Sequence, residues 1–152
     1  MKYLGSILGF TKERNNDIMR VYRKKIAEAS FVFLPAISEL VANSPAERFY
    51  ISPERAAAVV TSMDSGKPLP RMRSNKAELY GELYRRFVER KKLYPDKPAK
   101  TIMASIVVEP APKFYLTPRS LQEIYFKIKN GWYEKQHDKI QDIDAARRER
   151  KA

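Results

Sequence analysis

Apolar residues recur along this chain at intervals of three and four, the spacing of one buried face on an α-helix. The clearest stripe follows Pro118 and returns at i, i+3, i+4, i+7 and i+11 as Leu121, Ile124, Tyr125, Ile128 and Trp132. A shorter stripe follows Pro53 and consists of Ala56, Val59, Val60 and Met63. The pattern predicts that a helix begins at each of these two prolines.

The chain also contains an internal repeat. Residues 45–53 read Pro-Ala-Glu-Arg-Phe-Tyr-Ile-Ser-Pro and residues 110–118 read Pro-Ala-Pro-Lys-Phe-Tyr-Leu-Thr-Pro, so five of nine positions are identical at a separation of 65 residues. Upstream, residues 22–24 match residues 84–86 at a separation of 62, which predicts about three extra residues in the second copy. A repeat of this length indicates that one supersecondary unit is used twice.

Each copy is predicted to contain three helices. In the first copy, apolar positions place the first helix between residues 18 and 33, ending near Pro35, and a second helix at about residues 36–43. Ser52 and Thr117 precede the two prolines as N-cap residues, so each third helix has a start signal. The run Ile-Val-Val at residues 106–108 has the β-branched content of a strand, but its place in the repeat favours the second helix.

These elements predict an all-α fold of two tandem three-helix modules. The first module covers residues 1–63 and the second covers residues 75–132. Residues 64–74 form a basic linker with the Gly, Pro and Ser content of a loop. Residues 133–152 form a charged tail, which is expected to be either a solvated helix or a disordered end.

Composition narrows the class of protein. The 152 residues include 30 Lys and Arg against 18 Asp and Glu, a formal net charge of +12, while 43% of residues are hydrophobic. That apolar content is too high for a disordered basic tail, so the charge must lie on a folded surface.

The absence of cysteine and the presence of a single histidine, His137, exclude disulfide scaffolds, Cys-type zinc sites and thiol nucleophiles. We expect no catalytic activity and no cofactor, and we expect His137 to be an ordinary surface residue. The short apolar stretch at residues 1–10 is broken by two glycines and lacks a cleavage signal, so we expect a protein with no membrane segment, located in the cytoplasm or, if a phage encodes it, in the host cytoplasm or the virion.

The predicted module resembles a known family of DNA-binding folds. A three-helix unit with a turn between its second and third helices is similar to the helix-turn-helix module of homeodomain-like proteins, over residues 14–63 and 75–132. The connection at residues 43–52 is longer than the three- or four-residue turn of that motif. The chain also resembles small basic proteins of unknown role from Bacteroidales and their phages, a resemblance that implies no activity.

The helix-turn-helix resemblance implies that the third helix of each copy lies in the major groove, with the second copy carrying more of the sequence preference. Cations before the helix caps could reach phosphates, and linker cations could follow the minor groove. The candidate nucleic-acid contacts are Arg48, Arg55, Arg71, Arg73, Lys113, Arg119, Gln122 and Lys127. Each also has a simpler explanation as a solvent-facing polar residue.

Two aromatic pairs have two interpretations. Phe49-Tyr50 and Phe114-Tyr115 lie in the repeated segment, where they are predicted to close the core, with base stacking as the alternative.

The predicted function is binding of double-stranded DNA, in the regulation, replication or partition of a phage or other mobile element. The alternatives are a virion or DNA-packaging structural protein, with protein partners or self-association, and an RNA-binding protein.

Overall fold

A computed structural model describes residues 2–68 and 71–151 of the chain, and the side chains of residues 2–9, 137, 140 and 151 lie outside this description. The expectation for the His137 side chain therefore lies outside the described residues. Within them the fold is all-α, as predicted. Its helices are α1 Lys2–Glu28, α2 Leu34–Ala42, α3 Pro53–Asp64, α4 Ser74–Leu93, α5 Ala99–Ile106, α6 Pro118–Lys129 and α7 Trp132–Lys151.

The two third helices, α3 and α6, begin and end in the same way. The Ser52 hydroxyl accepts the backbone N–H of Arg55 at 3.2 Å, and the Thr117 hydroxyl accepts that of Ser120 at 3.1 Å. Beyond their last turns, Gly66 and Gly131 have φ values of +82° and +69°, which glycine adopts at little cost. The predicted helix starts at the two prolines are confirmed.

The predicted insertion in the second copy is wrong. Helices α1 and α4 end at Glu28 and Leu93, and helices α2 and α5 begin at Leu34 and Ala99. Both pairs are 65 residues apart, the separation already seen in the repeated segment. The match at 62 residues arose because a tyrosine followed by basic residues recurs on both first helices at positions that are not structurally equivalent.

Ion pairs confirm the single separation of 65 residues. Arg20 pairs with Asp17 at 2.7 Å and Arg85 pairs with Glu82 at 2.6 Å, each across one helical turn of a first helix. The two copies are therefore in register from their first helices to the glycines that end their third helices.

The third helices are exchanged between the two halves of the chain. Helix α3 packs on α4 and α5, whereas α6 packs on α1 and α2 and is followed by α7. Within the described residues, neither α3 nor α6 packs to a comparable extent on the first two helices of its own copy. The predicted self-contained modules, residues 1–63 and 75–132, are therefore not confirmed.

The two connecting segments cross one another at equivalent residues. Ala46 and Ala111 exchange two backbone hydrogen bonds, of 2.9 and 3.0 Å, as an isolated antiparallel bridge. Beside it, Phe49 stacks on Tyr115 and Tyr50 stacks on Phe114, both with ring centroids 6.4 Å apart. Each ring thus meets the equivalent of its own neighbour in the sequence, as an approximate two-fold arrangement requires.

The aromatic pairs close the core, which was the favoured interpretation. Phe49 and Phe114 are buried, and both tyrosines pack against the same continuous core.

Side-chain volumes suit the exchanged packing. In the bundle of α1, α2 and α6, the core holds Ser38 on α2 and Leu121 on α6. The equivalent positions in the other bundle hold Met103 on α5 and Ala56 on α3. Each bundle therefore combines one large and one small residue at these positions, whereas unexchanged packing would place both large residues in one bundle and both small residues in the other. Overpacking and cavities both destabilise a core.

Cleavage of the linker tests the exchange. A site-specific protease sequence inserted after Lys67 should allow the chain to be cut without separating its halves, because each third helix is packed on the other half. We expect the two fragments to co-elute on size-exclusion chromatography under native conditions and to separate under denaturing conditions. Separation under native conditions would contradict the exchange.

Truncation of a buried α6 side chain should destabilise the protein. Ile124→Ala removes a buried side chain and should lower the free energy of unfolding by about 2–5 kcal/mol, measured by urea denaturation. Phe126→Ala on the same helix is the control, because Phe126 is 44% exposed and should cost far less. If both variants lowered the free energy of unfolding equally, the face of α6 that carries Ile124 would not be the one that packs in the core.

Candidate nucleic-acid interface

The α6 candidates lie on a face of mixed chemistry. The Arg119 side chain is 92% exposed, with its Nε atom 3.5 Å from a carboxylate oxygen of Glu123. Lys127 is exposed, and its ammonium lies 4.6 Å from the centre of the Trp132 ring. Gln122 is half-buried in a groove that Phe126 also lines. The structure thus brings these three candidates to one helix face, but an acid and an exposed aromatic interrupt it.

The equivalent face of α3 offers fewer polar contacts. Arg55 is exposed and has no carboxylate partner among the described residues. The positions equivalent to Arg119, Gln122 and Lys127 are occupied by Glu54, Ala57 and Ser62. If the third helices contact DNA bases, α6 therefore offers more polar side chains for this than α3 does. The amino-acid sequence predicts the same inequality.

Packing within each copy differs from that of the helix-turn-helix module. In that module the second and third helices of one unit pack together. Here α2 packs on α6 and α5 packs on α3, so each such pair combines helices from both copies.

Two predicted phosphate contacts, Arg48 and Lys113, have acidic partners instead. Arg48 lies 3.4 Å from Glu13 and its guanidinium stands 5.2 Å from the centre of the Phe10 ring. Lys113 lies 3.5 Å from Glu78. The two ion pairs are equivalent in the repeat, and both attach the crossing segment to a first helix.

The cations around the linker are exposed. Lys67, Arg71, Arg73 and Lys76 lie between α3 and the first turn of α4. None of them forms an ion pair with a carboxylate in the described part of the chain, in which residues 69 and 70 are not included. Four exposed cations therefore lie within the ten residues from 67 to 76, and none of them has a carboxylate partner among the described residues.

A buried carboxylate that sequence reasoning missed holds the first crossing segment in place. Asp17, with a 1% exposed side chain, accepts hydrogen bonds from the Arg20 guanidinium at 2.7 Å, the Glu47 backbone N–H at 2.8 Å and the Tyr50 hydroxyl at 2.7 Å. Burial, together with the Asp17 carboxylate, raises the pKa of Tyr50 well above its ordinary value. The available signal was an acid directly beside the apolar stripe of the first helix.

The equivalent carboxylate in the second copy has different partners. Glu82 accepts from Arg85 at 2.6 Å and Arg86 at 2.9 Å, and the hydrogen bond from Arg85 is the main reason that its pKa is lowered. Tyr115, the counterpart of Tyr50, has a φ of +58°, a left-handed conformation that a tyrosine rarely adopts. Its ring stacking on Phe49 helps to hold it there.

The comparisons with protein families, curated proteins and solved structures found no match. Among helices of the described residues, none combines the length and apolar content that crossing a bilayer requires. The same part of the chain contains no group of three acidic or histidine side chains placed to hold a metal ion.

The two equivalent carboxylates should differ in their contribution to stability. Asp17→Asn should lower the free energy of unfolding by about 1–3 kcal/mol, because an amide nitrogen would replace one acceptor in a buried site surrounded by donors. Glu82→Gln is the matched control and should cost less, because its side chain is 20% exposed and water can take the place of the missing acceptor. Urea denaturation measures both, and a larger loss for Glu82→Gln would contradict the assigned role of Asp17.

Proposed function

We propose that this protein binds double-stranded DNA, mainly through its phosphates. The observation that carries the proposal is the exposed set of linker cations, Lys67, Arg71, Arg73 and Lys76, which no carboxylate neutralises in the described chain. The whole chain carries a net charge of +12, so approach to a polyanion is favoured from a distance as well.

The distribution of acids supports this choice of contact residues. Acidic residues outside the linker pair with particular cations, as Glu13 on α1 does with Arg48 and Glu109 after α5 does with Arg90. Those cations hold elements together, and transferring them to phosphates would break contacts within the fold. The linker cations can bind phosphate without such a loss.

The approximate two-fold arrangement favours a duplex over a single strand. The antiparallel bridge between Ala46 and Ala111 joins equivalent residues, so the two halves of the molecule face in related directions. The two strands of duplex DNA are related by two-fold axes, and DNA-binding proteins with this symmetry use it to contact both strands. The proposal does not require the third helices to act as a helix-turn-helix pair.

Removing two linker cations should weaken DNA binding. We expect Arg71→Gln/Arg73→Gln to reduce affinity for a duplex of about 30 base pairs, and to lower the slope of log K against log salt by about 0.9 for each phosphate that the variant no longer neutralises. Fluorescence anisotropy over a salt series measures both quantities.

The control is Lys135→Gln/Lys139→Gln on α7, which removes the same charge from exposed positions elsewhere. If both double variants lost the same affinity, binding would depend on net charge alone and the linker would have no special part. Duplex RNA of the same sequence at the same salt provides the competing ligand. Preference for that RNA would reject DNA as the ligand.

A further inference from the structure

A groove lies between the N-terminal end of α2 and the outer face of α6. It has a volume of about 400 Å³. Its lining consists of Pro35, Pro118, Arg119, Gln122, Glu123 and Phe126. Phe126 is 44% exposed, so much of its ring is open to a ligand.

The chain that leads into this groove is also apolar and exposed. Phe31, Val32 and Phe33 lie between α1 and α2, directly before Leu34, the first residue of α2, and Phe31 is 80% exposed. Several exposed large apolar residues close together in sequence mark an interaction surface more often than they serve the fold.

The second half of the molecule provides an internal comparison. There the segment equivalent to residues 31–33 is Asp96-Lys97-Pro98, and Thr61 occupies the position of Phe126. Lys100 and Glu54, which replace Pro35 and Arg119, form an ion pair at 3.6 Å. The same fold is therefore built without large aromatic or β-branched aliphatic residues at these positions, so folding does not explain their presence in the first half.

We propose that this groove binds an apolar segment of a partner protein that carries carboxylates. The aromatic and proline side chains would cover the apolar residues of the segment. Arg119 lies at the edge of the groove, where its side chain is 92% exposed and its Nε atom is 3.5 Å from Glu123. A carboxylate of the partner can therefore form an ion pair with its guanidinium.

Charge complementarity selects an acidic partner over a second copy of this chain. Two copies would each bring a net charge of +12 to the contact, and like charges close together oppose association. An acidic segment is attracted by the same charge.

A peptide-display experiment on the full-length chain tests the proposal. The probe is a random dodecapeptide library, from which we expect enrichment of peptides that combine aromatic or aliphatic residues with Asp or Glu. An enriched peptide would then be synthesised, and its affinity for each variant measured by fluorescence polarisation.

Each groove residue has an expected effect. Phe126→Ser should abolish most of the binding, whereas Thr61→Ser at the equivalent position of α3 should leave it unchanged. Arg119→Gln should lower the affinity for the acidic peptide about twofold to fivefold, the range expected for the loss of an exposed ion pair. Glu123→Gln should raise the affinity for the same peptide by a similar factor, because the substitution removes a carboxylate that competes for Arg119.

Several outcomes would overturn the proposal. They are failure of the library to enrich any peptide, enrichment of basic peptides, or equal affinity of the peptide for the wild-type protein and Phe126→Ser. Loss of oligodeoxythymidine binding by Phe126→Ser with unchanged peptide binding would assign the groove to nucleobases instead.

Duplex DNA binding by Phe126→Ser separates this proposal from the previous one. It should equal that of the wild-type protein, because the linker cations are untouched. Thermal denaturation of the same variant shows whether it remains folded.

Discussion

The crossing of the two connecting segments is the contact on which the arrangement of the helices depends. Ala46 and Ala111 meet in a backbone bridge, and the neighbouring aromatic residues stack in reciprocal pairs. Because each segment passes the other before its third helix begins, α3 and α6 are delivered to the opposite half of the chain. Exchange of identical elements between copies is a known route to dimers, and here both copies belong to one chain.

Exchange has a consequence for cohesion. Two modules joined only by a linker could move independently, but two halves that each contain a helix of the other cannot separate without unfolding one of their cores. The bundles are therefore held at a fixed spacing and orientation.

The two halves have diverged at their surfaces while keeping one backbone plan. The first has a buried Asp17 at its crossing segment and an apolar groove beside α6, whereas the second has the more exposed Glu82 and an ion pair between Lys100 and Glu54. Duplication leaves the shared core under the same packing constraints in both copies. Surface positions are free of those constraints, and we propose that the groove of the first half serves a protein segment while the linker between the halves serves a polyanion.

The sequence by itself determined the local structure of this protein. Periodic apolar positions, Ser52 and Thr117 before prolines, and the repeated nine-residue segment predict the all-α fold and the starts of α3 and α6, because these signals act over a few neighbouring residues. They could not show which copy each third helix joins, since the same apolar stripe can pack on either half. The choice depends on which buried volumes share a bundle, with Ser38 and Leu121 in one and Met103 and Ala56 in the other, and on the crossing at Ala46 and Ala111. The tertiary structure likewise decided that Arg48 and Lys113 face acids and that Arg71 and Arg73 do not, because an ion pair depends on which distant side chain the fold brings within reach.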